Sequence, residues 1–401
     1  MDKRASHRLG RPLGVRLTIA AAAAAGLGVI TVQILDSTNG SLESSDRASA
    51  AGAEIAAAAP TPIAPGDARI TWRNLPSSLL SPVVTDGKTA WVAAAEGIAD
   101  SYGLFQSGLY RFDPGSPELV RVASFKGRPT AAVVAGSDVV VGAGKSIIAV
   151  DSVSGVTREF ALGGPLGDAA FVSALGYVDG RLFVAWDGAA RVDEVDLASG
   201  STTRSFDLTG QMPPAQRLAI LDGELIASTP FGLVNGAGPG SVSINLGSGK
   251  VSKLDLGRPF SFAPDGNGNL VTTQSVPGGG LHRLSATGGG VVDAPSAPTH
   301  IPWNGRWDLL AVSPNGSLWG SVQGDSKIYV ENPDGSLDSF ALPILPLVES
   351  LPSGGSQSSS NQRHDPAVAS RTVASMVTLA DGSLVFVTDT PGGALGYIAS
   401  R

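Results

Sequence analysis

The chain has 401 residues, 42% of them hydrophobic and only 16% charged, with 52 glycines, 27 prolines and no cysteine. That length can bury a large core, and glycine and proline at this density punctuate short strands rather than long helices. The missing cysteine excludes a disulfide framework, a thiolate metal site and a cysteine nucleophile, and a net charge of −7 argues against nucleic acid as a partner.

The charge is uneven along the chain. Lys3, Arg4, Arg8, Arg11 and Arg16 against Asp2 make residues 1–16 a basic tail of net +4, so the remainder carries −11. Residues 17–35, "LTIAAAAAAGLGVITVQIL", carry no charge. As a helix they would span roughly 28 Å, close to the hydrocarbon thickness of a bilayer. Basic residues precede this run and none follows until Arg47. The expectation is a single-pass signal-anchor in a cell membrane, with residues 1–16 cytoplasmic and the rest extracytoplasmic. The competing reading is a signal peptide cut near Ala48-Ser49-Ala50, which makes the remainder a secreted protein. Residues 36–67 are small, polar and punctuated by proline, and read as a disordered linker with a coil span of roughly 30 Å.

From residue 68 onward one pattern recurs: a tight turn, a glycine, and a short apolar strand. Gly87, Gly136, Gly180, Gly223, Gly266, Gly316 and Gly382 mark it, at steps of 49, 44, 43, 43, 50 and 66. Each unit also has a second half that reads strand, turn, strand, as in "SIIAVDSVSGVTREFAL" at 146 and "SKIYVENPDGSLDSFAL" at 326. The fifth unit, "GLHRLSATGGGVVDAP", is degenerate there. A period near 45 with four strands is that of a propeller blade. Strands are called a to d from the axis outward. The last unit lacks a d strand, and "ARITWRNLP", residues 68–76, supplies a lone strand of the right pattern. The prediction is an all-β fold: a seven-bladed β-propeller over 68–401, closed by an N-terminal strand. The long last step holds a serine-rich insertion at about 347–366 that reads as a mobile loop.

The stretch "AVSPNGSLWGSVQGDSKIYVENPDGSLDSFALP", residues 311–343, resembles a blade of the bacterial streptogramin lyase (virginiamycin B lyase) and surface-layer YVTN-type propellers, which share the turn, the aromatic b strand and a closing "F-x-L-P". The resemblance implies the fold. It also implies, for the lyases, a metal held by histidine and carboxylate groups at the channel mouth. This chain has only His7, His282, His300 and His364, with no pair at blade-equivalent positions, so the catalytic assignment does not carry over.

Several motifs read as structural. Asp86, Asp179, Asp222, Asp265 and Asp381 each precede the repeat glycine and fit turn positions. "DGNGN" at 265 fails as a calcium loop, because its sixth position is Leu270 and its twelfth is not glutamate. "GAGKS" at 142–146 lacks phosphate-loop spacing and reads as a b–c turn. Trp91 and Trp319 occupy equivalent b-strand places and read as packing between blades.

One set of residues reads as a ligand rim. "GRP" at 127–129 and 257–259, with Arg217, Arg306 and Arg371, places arginines where strand d leads into strand a. Those connections share one face of a propeller. Arg128, Arg217, Arg258, Arg306 and Arg371, joined by His300, Trp303, Trp307 and Asp308, would form an anion-attracting lip. The expectation is a non-catalytic binding propeller tethered to the membrane, with an envelope protein or an anionic small molecule or polymer as partner and no cofactor. The alternative is a metal-dependent lyase or hydrolase.

Overall fold

The computed structural model describes residues 64–401 apart from 78, 99–104, 117, 164–169, 230–239, 257–258, 274–280, 288–289, 296–298, 304–307, 323, 347–367, 371, 391–392 and 401. The basic tail, the apolar run 17–35 and the linker up to residue 63 lie outside these residues. Among the described residues no helix is long and apolar enough to cross a membrane.

Seven four-stranded antiparallel sheets follow one another along the chain. Blade 1 comprises Val84–Thr85, Ala90–Ile98, Phe105–Phe112 and Leu119–Lys126; blade 2 comprises Pro129–Ala135, Asp138–Ala143, Ser146–Asp151 and Thr157–Ala161. Blade 3 is Phe171–Val178, Arg181–Asp187, Ala189–Val195 and Thr202–Asp207; blade 4 is Arg217–Leu221, Glu224–Ser228, Ser241–Asn245 and Val251–Leu254. Blade 5 is Phe262–Pro264, Asn269–Thr273, Leu281–Thr287 and Gly290–Pro295, so the degenerate unit still builds its outer strand. Blade 6 is Leu309–Val312, Leu318–Ser321, Lys327–Glu331 and Leu337–Ala341. Blade 7 takes Thr372–Thr378, Leu384–Thr390 and Ala394–Ile398 from the end of the chain and Thr71–Asn74 from its beginning.

The closing strand is registered Thr71↔Tyr397 through Asn74↔Ala394. Trp72 meets Phe386 edge-on at 5.3 Å between centroids. Gly396 stands against the same ring: a Cβ there would lie 2.2 Å from Phe386 Cζ. The segment before this strand is also held. Ala64 and Ile344 exchange backbone hydrogen bonds at 3.1 and 3.2 Å, and Asp67 N donates to Ala341 O at 2.8 Å. The Arg69 guanidinium bonds Asp67, Asp338 and the Ser339 carbonyl, and lies 4.1 Å over the Phe340 ring. Residues 64–67, expected to finish the disordered linker, are therefore clasped to the outer edge of blade 6. The carboxylates and carbonyls of that edge give the segment partners that a free linker lacks. The serine-rich insertion itself lies outside the described residues, but its stem is a short ribbon pairing Ile344–Pro346 with Val368–Ser370.

The repeated turns are built as their sequence requires. Asp179-Gly180 and Asp222-Gly223 join strands a and b through two residues of positive φ, 50° and 78°, then 38° and 77°, the geometry of type I′ hairpin turns. Asp265 Oδ1 accepts the amides of Asn267 and Asn269, so "DGNGN" is a turn. Strands b and c of blade 2 meet around Gly144-Lys145, as read from "GAGKS".

Each blade buries both faces against its neighbours. Trp91, Ala93 and Leu109 of blade 1 pack on Val139, Val141 and Ile148 of blade 2. Trp319 and Phe340 of blade 6 pack with Leu384 and Phe386 of blade 7, and the Trp319 Nε1 donates to Ser313 Oγ at 2.8 Å. Hydroxyl groups bridge six of the seven junctions. Thr130, Ser173, Ser228 and Ser261 donate to the carbonyls of Val172, Ala215, Pro259 and Leu310 in the following blade; Thr378 donates back to Val312 O, and Ser375 accepts Val83 N.

The closing strand gives two predictions. A chain truncated through Asn74 should melt at lower temperature and aggregate in a concentration-dependent way, compared with one beginning at Ala64, because blade 7 then exposes an open edge; thermal melting with light scattering measures both. Gly396→Ala should cost about 1–3 kcal/mol in chemical denaturation, since the ring of Phe386 has no room to yield without repacking.

Candidate functional site

The inner strands surround an axial channel with a cavity of about 270 Å³. Its wall is built from strand a of every blade, with Val83, Ala131, Leu175, Leu218, Phe262, Leu309 and Met376 as examples. Small and aliphatic side chains belong there because seven sheets converge on a narrow axis. Among the described lining residues one carries a charge, Arg217.

Arg217 is the first residue of strand a in blade 4 and pairs with Ser228 of strand b. Its Nη1 donates to Gln216 O at 2.8 Å, and its Cζ lies 4.8 Å from the ring centroid of Phe260, the neighbouring residue of blade 5 in the wall. No carboxylate pairs with it among the described residues. Burial alone pushes its pKa down to about 10, so it remains a cation at neutral pH. The Gln216 Oε1 beside it is buried without a hydrogen-bond partner. A guanidinium held over an aromatic face, with one backbone acceptor and no counter-charge, is a site for an anion.

The other members of the predicted rim fall in different places. Arg128 sits just before strand a of blade 2, on the same face as the start of Arg217's strand. Its Nε is buried without a partner, and burial lowers its pKa. It is not part of the channel wall. Arg258, Arg306, Trp307 and Arg371 lie outside the described residues.

His300, Trp303 and Asp308 do not form a lip. His300 Nδ1 lies 2.8 Å from Glu331 Oε1, and its backbone N donates to Glu331 Oε2 at 2.9 Å. Glu331 closes strand c of blade 6, so His300 is at the end of the blade opposite the d-to-a connections. Trp303 packs edgewise into the junction of blades 5 and 6, among Leu310, Leu318, Val322 and Tyr329. Its ring occupies the space that a Cβ on Gly320 would take, 2.5 Å from Trp303 Cη2. The physical reason is local. The buried cluster between these blades consists of Ala263, Val271, Leu281 and Leu310, smaller than its counterparts, and residues 299–303 return as a strap that fills the wedge. Asp308 is wholly buried immediately ahead of strand a of blade 6.

Sequence reading named Arg217 but as a rim residue; it missed Phe260 and Gln216. The available signal was that "RLAIL" opens an inner strand with a cation where "PTAAVVA", "FVSALGYV" and "LLAV" open with an apolar residue.

No protein-family model matches the chain, and no curated protein matches it. Solved structures do. The chain is similar to a streptogramin B lyase structure at 13% identity and a TM-score of 0.54, covering 82% of this chain and 98% of that one. It is similar to a catalytically inactive virginiamycin B lyase from Staphylococcus aureus with quinupristin, at 11% identity and a TM-score of 0.53, covering 83% and 99%. The WD40 β-propeller domain of Doa1 aligns at 10% identity with a TM-score of 0.51, over 84% and 98%. These likenesses show a propeller of the streptogramin lyase and WD40 type. They bear on the fold alone.

The strap carries a pH prediction. Burial of Glu331 raises its pKa, but hydrogen bonds from Thr299, the His300 side chain and the His300 amide outweigh burial and hold it below the ordinary value. A folded-state pKa below the unfolded one stabilises at pH above the unfolded value, about 4.3 for glutamate, and that stabilisation disappears as pH falls through the folded value. Amide exchange in residues 299–303 should therefore accelerate between pH 5 and about pH 3, relative to the rest of blade 6. In Glu331→Gln that acid-dependent difference should vanish.

Proposed function

We propose that this chain is a non-catalytic binding propeller that takes an anionic group into its axial channel, with Arg217 as the counter-ion. The observation that carries the reading is the half-buried Arg217 guanidinium, without a carboxylate partner among the described residues, in a wall whose other described residues are uncharged. A cation left there without a partner costs stability. An arriving anion supplies the missing charge and hydrogen-bond acceptors. Arg128, just before strand a of blade 2, would add positive potential on the face where Arg217's strand begins. The proposal includes a membrane tether through residues 17–35, with the propeller extracytoplasmic. The basic tail followed by an uncharged run of bilayer length supports that. An envelope protein or anionic polymer docking on the same face remains within this proposal.

The second reading, a metal-dependent lyase or hydrolase, has the fold likeness in its favour. The described histidines speak for binding instead. His282 of strand c in blade 5 is engaged by Asp293, and His300 by Glu331; neither lines the channel.

Arg217→Met tests the proposal with two readouts of opposite sign. Affinity for small anions, measured by calorimetry on the full chain, should fall at least tenfold. Unfolding free energy should rise, on the order of 1–2 kcal/mol, because a desolvated cation is replaced by an apolar side chain of similar length. Anion affinity in the wild type should hold from about pH 6 to 9, because the guanidinium keeps its charge throughout that range. Unchanged affinity together with lost stability would make Arg217 a structural residue and overturn the reading.

A further inference from the structure

We infer that the ligand of the axial channel is an amphiphilic monocarboxylate, a single carboxylate on an aliphatic or aromatic body of about ten non-hydrogen atoms; this deepens the channel reading above and rests on it. Three features of the wall lead there.

The first is the charge count. One guanidinium faces the cavity, and no second cation lines it among the described residues. A planar fork of two N–H donors matches a carboxylate in bidentate fashion. A phosphate dianion leaves one charge and at least one oxygen uncompensated in a low-dielectric channel.

The second is the state of the other polar groups. The serines in the wall are already committed to holding the ring together. Ser173 Oγ donates to Ala215 O at 2.6 Å, Ser261 Oγ donates to Leu310 O at 3.3 Å, and Ser375 Oγ accepts Val83 N at 3.2 Å. A polyhydroxylated or multiply charged ligand would have to compete for hydroxyls whose loss loosens the blade junctions. The unspent polar capacity lies at Arg217 and its neighbour Gln216, with one hydroxyl donor on Ser375 across the channel.

The third is the remaining surface. Below the guanidinium the wall is apolar, with Val83, Ala131, Leu175, Phe262 and Met376 contributed by five different blades. A cavity of about 270 Å³ has room for several waters or for the hydrocarbon body of a small ligand. Water filling such a wall gains few hydrogen bonds; a hydrocarbon body displaces it and buries apolar area on both sides. The aromatic face of Phe260 lies 4.8 Å from the guanidinium carbon and restrains the fork by stacking.

The test is a ladder of straight-chain acids, acetate to decanoate, titrated into the full-length protein in detergent-free buffer below micelle-forming concentrations. Inorganic phosphate and 1-octanol run as controls. Affinity should climb about three- to four-fold for each added methylene until the cavity is filled. Arg217→Met should lose the acids while keeping its weak affinity for octanol. Ala374→Leu, at a partly exposed position of the wall, should remove octanoate binding and spare acetate; its melting curve confirms that the ring is intact. Phosphate binding through Arg217 as tightly as octanoate would overturn the amphiphile and leave the anion channel standing. Failure of every anion to depend on Arg217 would remove both.

Discussion

Ring closure is the constraint on which the rest depends. A four-stranded sheet of this kind has two apolar faces and cannot bury either alone. Each blade is stable only between two others, so the chain must return to its start. Here the return is made by a strand taken from the beginning of the chain and laid on the outer edge of blade 7. The junction of blades 7 and 1 is then as dry as any other, with Val92 and Phe112 against Val385 and Leu395. The clasp of residues 64–69 on blade 6 extends the same closure across the neighbouring blade.

The junctions are not equivalent, and their differences explain the irregular parts of the sequence. Most are filled by branched aliphatic and aromatic residues of strands b and c. The one between blades 5 and 6 is short of such residues because the fifth unit is glycine-rich in its outer half, "ATGGGVV". Compensation comes from outside the repeat. Ile301 and Trp303 are folded back into the wedge, Gly320 gives the indole its space, and Thr299 and His300 latch the strap to Glu331. Aromatic and charged residues in a d-to-a connection therefore need not mark a ligand; in this connection they repair a core.

That contrast decides what could be read from the sequence. The period of the glycines and the alternation of apolar residues are local and repeated, so blade number, strand order and the closing strand were legible. The turns at Asp179 and Asp222 were legible for the same reason, since aspartate followed by glycine tolerates the positive φ that a two-residue hairpin demands. The strap was not. Nothing in "THIPWNGRWDLL" says that its first half doubles back toward the c–d turn of blade 6. That depends on a void left by residues about ten to fifteen positions earlier. The depth of Arg217 was illegible as well. A residue at the start of an inner strand can point along the rim or into the axis, and only the ring's geometry separates the two.

The same geometry makes Arg217 and Gln216 the polar groups of the described channel wall that hold no neighbouring blade by a side-chain hydrogen bond. Each serine in the inner wall is consumed by a blade junction, and the aliphatic residues fill space that seven converging sheets leave small. Arg217 is different: it gives up part of its hydration on folding, and it returns one hydrogen bond and one aromatic contact. Removing its charge would ease the fold, whereas removing the hydroxyl of Ser173 or Thr130 would unpair a carbonyl between blades. A group whose only large effect on the apo protein is unfavourable is best explained by the state in which that effect reverses. For a desolvated guanidinium in an apolar wall, that state is the one in which an anion has entered.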